Sequence, residues 1–122
     1  MTTYEMSLSF QRPPLNMNDR MHWAKKAKIT KSIRQEVYIR AKAARLRPCK
    51  HLTVRFFYRP RDKRRRDPAN CISSQKPIVD GLVQAGLVPD DTAEYVTETI
   101  PTLVEPIKGQ PGKCWVELTC QY

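Results

Sequence analysis

Residues 51–59 read HLTVRFFYR, and this stretch decides the expected fold. Apolar side chains recur in it at every second position: Leu52, Val54, Phe56 and Tyr58. Threonine and arginine fill most of the positions between them, so one face of the segment is apolar and the other is polar. A period of two is typical of a strand that buries one face. We therefore expect a strand over residues 51–59 that packs its apolar face on the core.

The chain before this strand predicts one long helix. Residues 22–46 contain neither Gly nor Pro, and Arg47-Pro48 ends the segment. Apolar residues fall on or near one helical face: Trp23, Ala27, Ile33, Val37, Ala41 and Ala44. Most other positions carry Lys or Arg, so the exposed face is expected to be cationic. We expect Trp23 in the core, a cap from Asn18 or Asp19, and His22 in a capping or solvent-exposed role.

A second helix and further strands complete the predicted order. Because Pro77 has no N–H to donate, a regular helix is expected only from about residue 76, and it should end at Gly86. The remaining strands are expected over residues 3–10, 94–100 and 114–121, with a loop rich in Pro and Gly at 101–113. The order β-α-β-α-β-β predicts an α+β fold, in which a small mixed or antiparallel sheet carries two helices on one face. Residues 1–122 are interpreted as a single domain.

Composition excludes several classes of protein. A chain of 122 residues that is 40% hydrophobic can bury a core without a disulfide or structural metal. Its apolar runs are far shorter than the roughly 20 residues of a membrane-spanning helix. The four cysteines lie 22, 43 and 6 positions apart with no C-x-x-C pair, a spacing that argues against a zinc site. With no secretory signal at the N-terminus, we expect a cytoplasmic protein with free thiols.

Charge divides the chain in two. Residues 1–66 contain 19 Lys+Arg and 4 Asp+Glu, a balance of +15, whereas residues 67–122 contain 3 and 8, a balance of −5. A basic half favours a polyphosphate partner, because each neutralised phosphate releases condensed counterions. A solubilising surface or attraction to anionic lipid would explain the total charge alone. The dense run RPRDKRRR at residues 59–66, which leads directly into Asp67, favours nucleic acid.

Acidic residues bracket the second predicted helix. Asp67 precedes it, and Asp90-Asp91 follows it, with Lys76 at its start and Asp80 on its first turns. Hard divalent cations prefer oxygen ligands, and Mg²⁺ usually takes one or two carboxylates together with waters and phosphate oxygens. Asp is also common at turns, so Asp67-Pro68 and Asp90-Asp91 have a purely structural interpretation. The spacing alone leaves both interpretations open.

The order of these residues resembles the core signature of the RusA family of Holliday-junction resolvases. The resemblance covers about residues 59–96: a basic run into Asp67-Pro68-Ala69-Asn70, then Lys76, Asp80-Gly81-Leu82, Ala85-Gly86 and Asp90-Asp91. Pro13-Pro14 with Asn16 and Asn18 is also similar to the N-terminal loop of the family. The resemblance implies a small homodimeric endonuclease that uses Mg²⁺ or Mn²⁺ to nick a four-way DNA junction symmetrically. A two-fold protein also suits a branched substrate with approximate two-fold symmetry.

The resemblance also implies roles for individual residues. Asp67, Asp90 and Asp91 are expected to be the metal ligands and, together with Lys76, the catalytic residues; Lys76 would stabilise developing charge. Asp80 matches a structural acid, and Lys76 could simply pair with it. Contacts with DNA are expected from Arg61, Lys63, Arg64, Arg65, Arg66, Asn70, Asn18 and Arg20.

One departure from the family pattern keeps a second hypothesis open. Ala69 stands where the family commonly has its second acid, and the spacing from Asn70 to Lys76 is longer than in the shortest members. Three acids, together with the Asn70 amide oxygen, could still hold one cation, which would leave a weaker or more Mn²⁺-dependent nuclease. Alternatively, the chain is a dimer that binds branched DNA without cutting it. A general RNA-binding domain is disfavoured, because the sequence lacks an RNP-type aromatic strand.

Overall fold

The computed structural model describes residues 1–17 and 20–122 of the chain. Within these residues, the secondary structure consists of strands β1 (Thr2–Ser7), β2 (His51–Arg59), β3 (Val96–Glu98), β4 (Thr102–Leu103) and β5 (Lys113–Gln121), helices α1 (Trp23–Ala43) and α2 (Ile72–Gln84), and a 3-10 turn at Pro68–Cys71. Two helices and a mixed sheet confirm the predicted α+β class. The bounds of β2 agree with the strand expected over residues 51–59.

The sheet is organised around β2 and β5. Its order is β1-β5-β2-β3, and β4 pairs with β2 beyond the end of β3. The β5 strand is antiparallel to both neighbours, placing Val54 opposite Leu118 and Phe56 opposite Val116. The two short strands run parallel to β2. The basic segment that leaves β2 at Arg59 therefore starts from the middle of the sheet.

The core lies between one face of the sheet and both helices. Alternate residues of β2 and β5 are buried, as the period of two predicts, together with Ile33 and Val37 of α1 and Ile78 of α2. The helices approach closely at Gly81. A Cβ atom there would lie 2.7 Å from the backbone oxygen of Arg34 and 2.9 Å from Cβ of Val37. Only glycine allows this crossing without a shift of one helix.

The start of α1 differs from the prediction. Trp23 is 76% exposed instead of lying in the core, and Ala27 is also exposed. The first fully buried residue of the helix is Ile33 and Ile29 packs half-buried against the core, so only the first turn of α1 projects beyond it. His22 caps the helix, accepting a hydrogen bond at Nδ1 from the N–H of Ala24 (3.2 Å), as its capping role predicts. The expected caps, Asn18 and Asp19, lie outside the described residues.

Three other boundaries also differ. Helix α2 begins at Ile72, four residues before the expected start, and contains Pro77. A proline inside a helix costs roughly 3 kcal/mol, but Pro77 is buried here along with most of its neighbours on the helix, and this packing offsets the cost. The first strand ends at Ser7, and the strand expected over 94–100 shortens to β3. The short β4 lies in the segment expected to be a loop.

Two expectations about chemistry and environment can be compared with the fold. All four cysteines are free, as their spacing predicts. Burial beside the Cys120 thiol raises the pKa of Cys49 to about 11. No helix among residues 1–17 and 20–122 is long and apolar enough to cross a bilayer.

Candidate nucleic-acid groove and carboxylate cluster

A groove of about 1490 Å³ opens between three parts of the chain. Its walls are the segment 10–16 after β1, the beginning of α1, and the segment 61–71 after β2. Six cations line it, namely Arg12, Lys25, Arg61, Arg64, Arg65 and Arg66, against two acids, Asp62 and Asp67. The excess of positive charge makes this groove the natural position for a polyanion.

Hydrogen bonds to both helices hold the N-terminal wall. The Ser74 hydroxyl on α2 accepts from the N–H of Leu15 (2.9 Å) and donates to its carbonyl oxygen (2.8 Å). Ser74 and Leu15 are both buried. At the other end, the backbone N–H of Ser9 donates to Glu36 of α1 at 2.7 Å, and the Ser9 hydroxyl donates to the same carboxylate. The wall is therefore fixed independently at each end.

The charge on Glu36 belongs to this anchor. Partial burial raises the pKa of Glu36, but the Ser9 hydroxyl, the Ser9 N–H and Arg40 together outweigh burial and lower it below its ordinary value. Arg40 donates from Nε to the same carboxylate at 2.9 Å. Glu36 is therefore ionised at neutral pH and holds the wall in that form.

Arg66 organises the opposite wall from within. Its guanidinium donates to the carbonyl oxygens of Asp62 (2.9 Å) and Arg64 (3.1 Å) and to Oδ1 of Asp62 (2.7 Å). It also lies 5.9 Å from the centre of the Tyr58 ring. The hydrogen bond from Arg66 is the largest cause of the lowered pKa of Asp62. Arg66 thus ties the basic segment into a compact loop.

The other predicted phosphate contacts extend outward from this loop. The side chains of Arg61 and Arg64 are 74% and 75% exposed, against 23% for Arg66. Lys63 and Arg65 are also exposed, as is Arg20 before α1. Among the described residues, Arg65 forms no ion pair with an acid. Asn18, another predicted contact, lies outside the described residues.

Asp67 and Asn70 occupy the base of the basic wall. Asp67 caps the 3-10 turn, where its Oδ1 accepts from the N–H of Ala69 at 3.0 Å. The carbonyl oxygen of Asn70 accepts from the N–H of Met17 at 3.4 Å, which joins the two walls. Both Asp67 and Asn70 line the groove, and Asp67 is exposed. The structural interpretation of Asp67 as a cap is therefore confirmed.

A second cluster forms around Lys76. Its ammonium contacts the Asp91 carboxylate and lies 3.4 Å from Oδ1 of Asp80. The neighbouring Asp90 accepts the N–H of Asp91 at 2.7 Å. The Asp91 contact is the main cause of the raised pKa of Lys76, and Lys76 in turn is the main cause of the lowered pKa of Asp91. Lys76 is therefore an ammonium, and Asp91 a carboxylate, across the neutral range.

The acids expected to share one metal have different hydrogen-bonding partners. Asp67 lines the groove, whereas Asp91 pairs with Lys76, which also contacts Asp80. Among the residues that the structure describes, no three His, Cys, Asp or Glu side chains gather closely enough to hold a metal ion. Asp67, Asp90 and Asp91 do not form such a group here, and metal binding stays a prediction.

Sequence reasoning missed the residues that build the walls. Ser74 and Leu15 are 59 positions apart, and Ser9 and Glu36 are 27 apart, so no local pattern connects them. Arg12 gave a weak signal as a cation directly before Pro13-Pro14. Arg66 was included only as one of several similar cations, and no spacing distinguishes an arginine that ties a loop from one that extends into solvent.

No protein-family model matches the chain, and no curated protein matches it. The geometry of the groove and of the Lys76 cluster is therefore the basis for the functional argument.

Proposed function

We propose that this protein is a RusA-like endonuclease that depends on Mg²⁺ or Mn²⁺ and resolves four-way DNA junctions by paired nicks, acting as a homodimer. One observation carries the proposal. The run from Arg64 to Asn70, where the resemblance to that family is most specific, forms one wall of a cationic groove with Asp67 in it. The residues that carry the resemblance to the family thus also line the cationic groove.

The groove and the Lys76 cluster suit two different parts of such a reaction. Exposed cations on the rim would hold phosphates through contacts that are independent of base sequence. Hydrolysis joins a water oxygen to phosphorus and breaks one ester bond, and negative charge develops on the phosphoryl and leaving oxygens. An ammonium such as Lys76 can stabilise that charge. Lys76 lies about 6 Å along the helix axis from Ile72, where α2 leaves the groove wall.

A second candidate function has its own support. Ala69 removes an acid from the family pattern, and the described acids do not assemble into one three-ligand site. Both observations favour a dimer that binds branched DNA without cutting it. The two candidates share the groove and differ only in the chemistry at Asp67, Lys76 and Asp91.

Cleavage of a labelled four-way junction separates these candidates. The nuclease predicts paired nicks that require added Mg²⁺ or Mn²⁺, are absent on a linear duplex of the same sequence, and disappear in Asp67→Asn and Asp91→Asn. Junction affinity should persist in both variants. Since Asp91 and Lys76 form a largely solvent-exposed pair, Asp91→Asn should leave the free energy of unfolding close to that of wild type.

Ala69→Asp, which restores the acid of the family pattern, tests the non-cleaving dimer. If wild type binds junctions tightly without nicking them and Ala69→Asp acquires metal-dependent nicking, the non-cleaving dimer is correct. Nicks that survive both Asp→Asn substitutions would contradict the assignment of the centre. Light scattering at the assay concentration provides the mass of the DNA-free protein, and a monomer there would contradict the homodimer.

A further inference from the structure

Charged and apolar side chains line the groove at different depths. The cations Arg12, Lys25 and Arg65 are exposed, whereas the apolar side chains of Phe10, Met21 and Ile29 are half-buried. Burial therefore places the charges at the rim and the apolar groups below them. We call Phe10, Met21 and Ile29 the apolar strip.

The strip continues the buried face of α1 into the groove. Met21, Lys25 and Ile29 follow one another at four-residue spacing, so they lie on one side of the chain as it enters and follows the helix. Further along the same side, Ile33 and Val37 are fully enclosed by the core. Met21 and Ile29 are thus the part of this apolar face that borders an open cavity in the described structure, and Phe10 lines the same cavity from the segment after β1.

A stacked duplex does not account for the strip. Duplex DNA presents phosphates and sugars to a protein surface, and the cationic rim alone would meet them. An unstacked base presents a flat apolar face instead, and single-stranded nucleic acid is bound by pairing a cationic groove with apolar or aromatic side chains. At the branch point of a four-way junction, the base stack is interrupted, so the cost of unstacking a base there is lowest.

We propose that the apolar strip receives one unstacked base from a DNA strand whose phosphates lie on the cationic rim. This inference rests on the proposed function for its substrate, branched DNA, and does not require the protein to cut it. The site is preformed, because the Ser9–Glu36 and Leu15–Ser74 hydrogen bonds fix the wall that carries Phe10. Little ordering of the protein then opposes entry of the base.

The test uses 2-aminopurine, whose fluorescence rises when it leaves a base stack. One junction carries the probe at the crossover, and a second carries it in the middle of an arm. Wild-type protein, assayed without divalent metal, should raise the fluorescence of the crossover probe and leave the arm probe unchanged. An equal response from both probes, or a response from neither, would overturn the inference.

Matched variants test whether the fluorescence rise arises from the apolar strip in the groove. Ile29→Thr alters the strip, and Ile39→Thr makes the same change at a 63% exposed position on the same helix. Ile29→Thr should weaken junction binding about fivefold or more and abolish the fluorescence rise, whereas Ile39→Thr should match wild type. Met21→Thr, which lies before α1 and so leaves the helix intact, should reproduce the Ile29→Thr result. None of these variants changes charge, so all should keep the wild-type salt dependence.

Failure of the inference can be told apart from failure of the proposed function. A protein that shows the crossover signal but never nicks DNA would contradict the nuclease and support the strip. A protein that nicks junctions normally in both Ile29→Thr and Met21→Thr would contradict the strip and support the nuclease.

Discussion

The helix–sheet core and the walls of the groove are held together in different ways. In the core, α1 and α2 cross at Gly81 with almost no free space, and apolar burial is continuous from the helices to β2 and β5. Two of the three walls are irregular segments, each fixed by a few polar anchors: Ser74 and Glu36 on one side and Arg66 on the other. Packing thus sets the scaffold, and single hydrogen-bonding groups set the shape of the candidate site.

Because the core and the walls are held together differently, we expect substitutions in them to differ in which property they change. Changes in the core should alter the stability of the whole chain, because the packed elements share one cluster. Changes at the anchors should alter the groove more than the fold, since each anchor serves one segment. Changes at exposed charges should alter binding alone.

The largest effect on stability is expected at the helix crossing. Gly81→Ala would gain roughly 0.5–1 kcal/mol from helix propensity, but the new methyl would meet the Arg34 carbonyl oxygen at 2.7 Å. Overpacking of this kind costs about 1–3 kcal/mol, so we expect a net loss of about 1–2 kcal/mol in urea unfolding. Gln84→Ala, on an exposed position of the same helix, should stay within about 0.5 kcal/mol of wild type. Unchanged stability in Gly81→Ala would contradict the close crossing.

Loss of the Ser74 anchor should come next. Ser74→Ala leaves the buried N–H and carbonyl of Leu15 without their partner, and a buried unsatisfied group costs about 1–3 kcal/mol. The segment around Leu15 can recover part of that cost by moving into solvent, so we expect a net loss of about 1 kcal/mol in urea unfolding, and junction affinity should fall as well. Ser73→Ala, one position earlier on α2, is the control and should leave both quantities near wild type. Equal behaviour of the two variants would show that the wall does not depend on Ser74.

Arg66 should affect DNA binding by holding the basic loop in shape, and Arg65 should affect it by contacting phosphate directly. Arg66→Lys keeps the charge but cannot reproduce three hydrogen bonds from a planar fork, so the loop should loosen and junction affinity should fall about fivefold. Arg65→Lys should stay within about twofold, because a phosphate contact accepts either cation. Anisotropy titrations at two salt concentrations measure both. If Arg65→Lys weakens binding as much as Arg66→Lys does, the two arginines do not differ in role, and Arg66 is not specifically the residue that holds the loop.

The smallest effect concerns pH and Glu36. Its pKa is lowered on folding from an ordinary value of 4.5, so its contribution to stability is present above pH 4.5 and is lost as pH falls through the lowered value. Glu36→Gln should therefore be less stable than wild type at pH 7, by less than about 1 kcal/mol for this partly exposed group. The difference should shrink at acidic pH. A difference that is constant between pH 7 and pH 3 would contradict an ionised anchor.

The contrast between the packed core and the hydrogen-bonded walls also explains how much of the fold could be predicted from the sequence. The bounds of β2 followed from its alternating pattern, because a sheet with one buried face imposes that pattern directly. Trp23 was misplaced because helical periodicity does not reveal where the core ends along the helix axis. The early start of α2 was missed because the intrinsic penalty at Pro77 is visible in sequence, but the tertiary packing that offsets it is not.

Prediction of the candidate site was limited for a related reason. Composition and the basic run indicated where the cationic wall would be, and Arg64, Asp67 and Asn70 do line the groove. The contact between Asp91 and Lys76 depends on how the segment after α2 returns to that helix, and no local pattern encodes that path. The anchors at Ser74 and Glu36 depend on the full fold in the same way.

The most direct test of the central claim, that this groove holds branched DNA, compares charge reversal at two exposed positions. Arg65 lines the groove, whereas Lys42 lies in the last turn of α1, about 25 Å along the axis from Lys25. Anisotropy with a labelled four-way junction should show Arg65→Glu weakening binding about tenfold or more and Lys42→Glu no more than about threefold. Equal losses in the two variants would mean that the total charge, and not this groove, attracts the DNA.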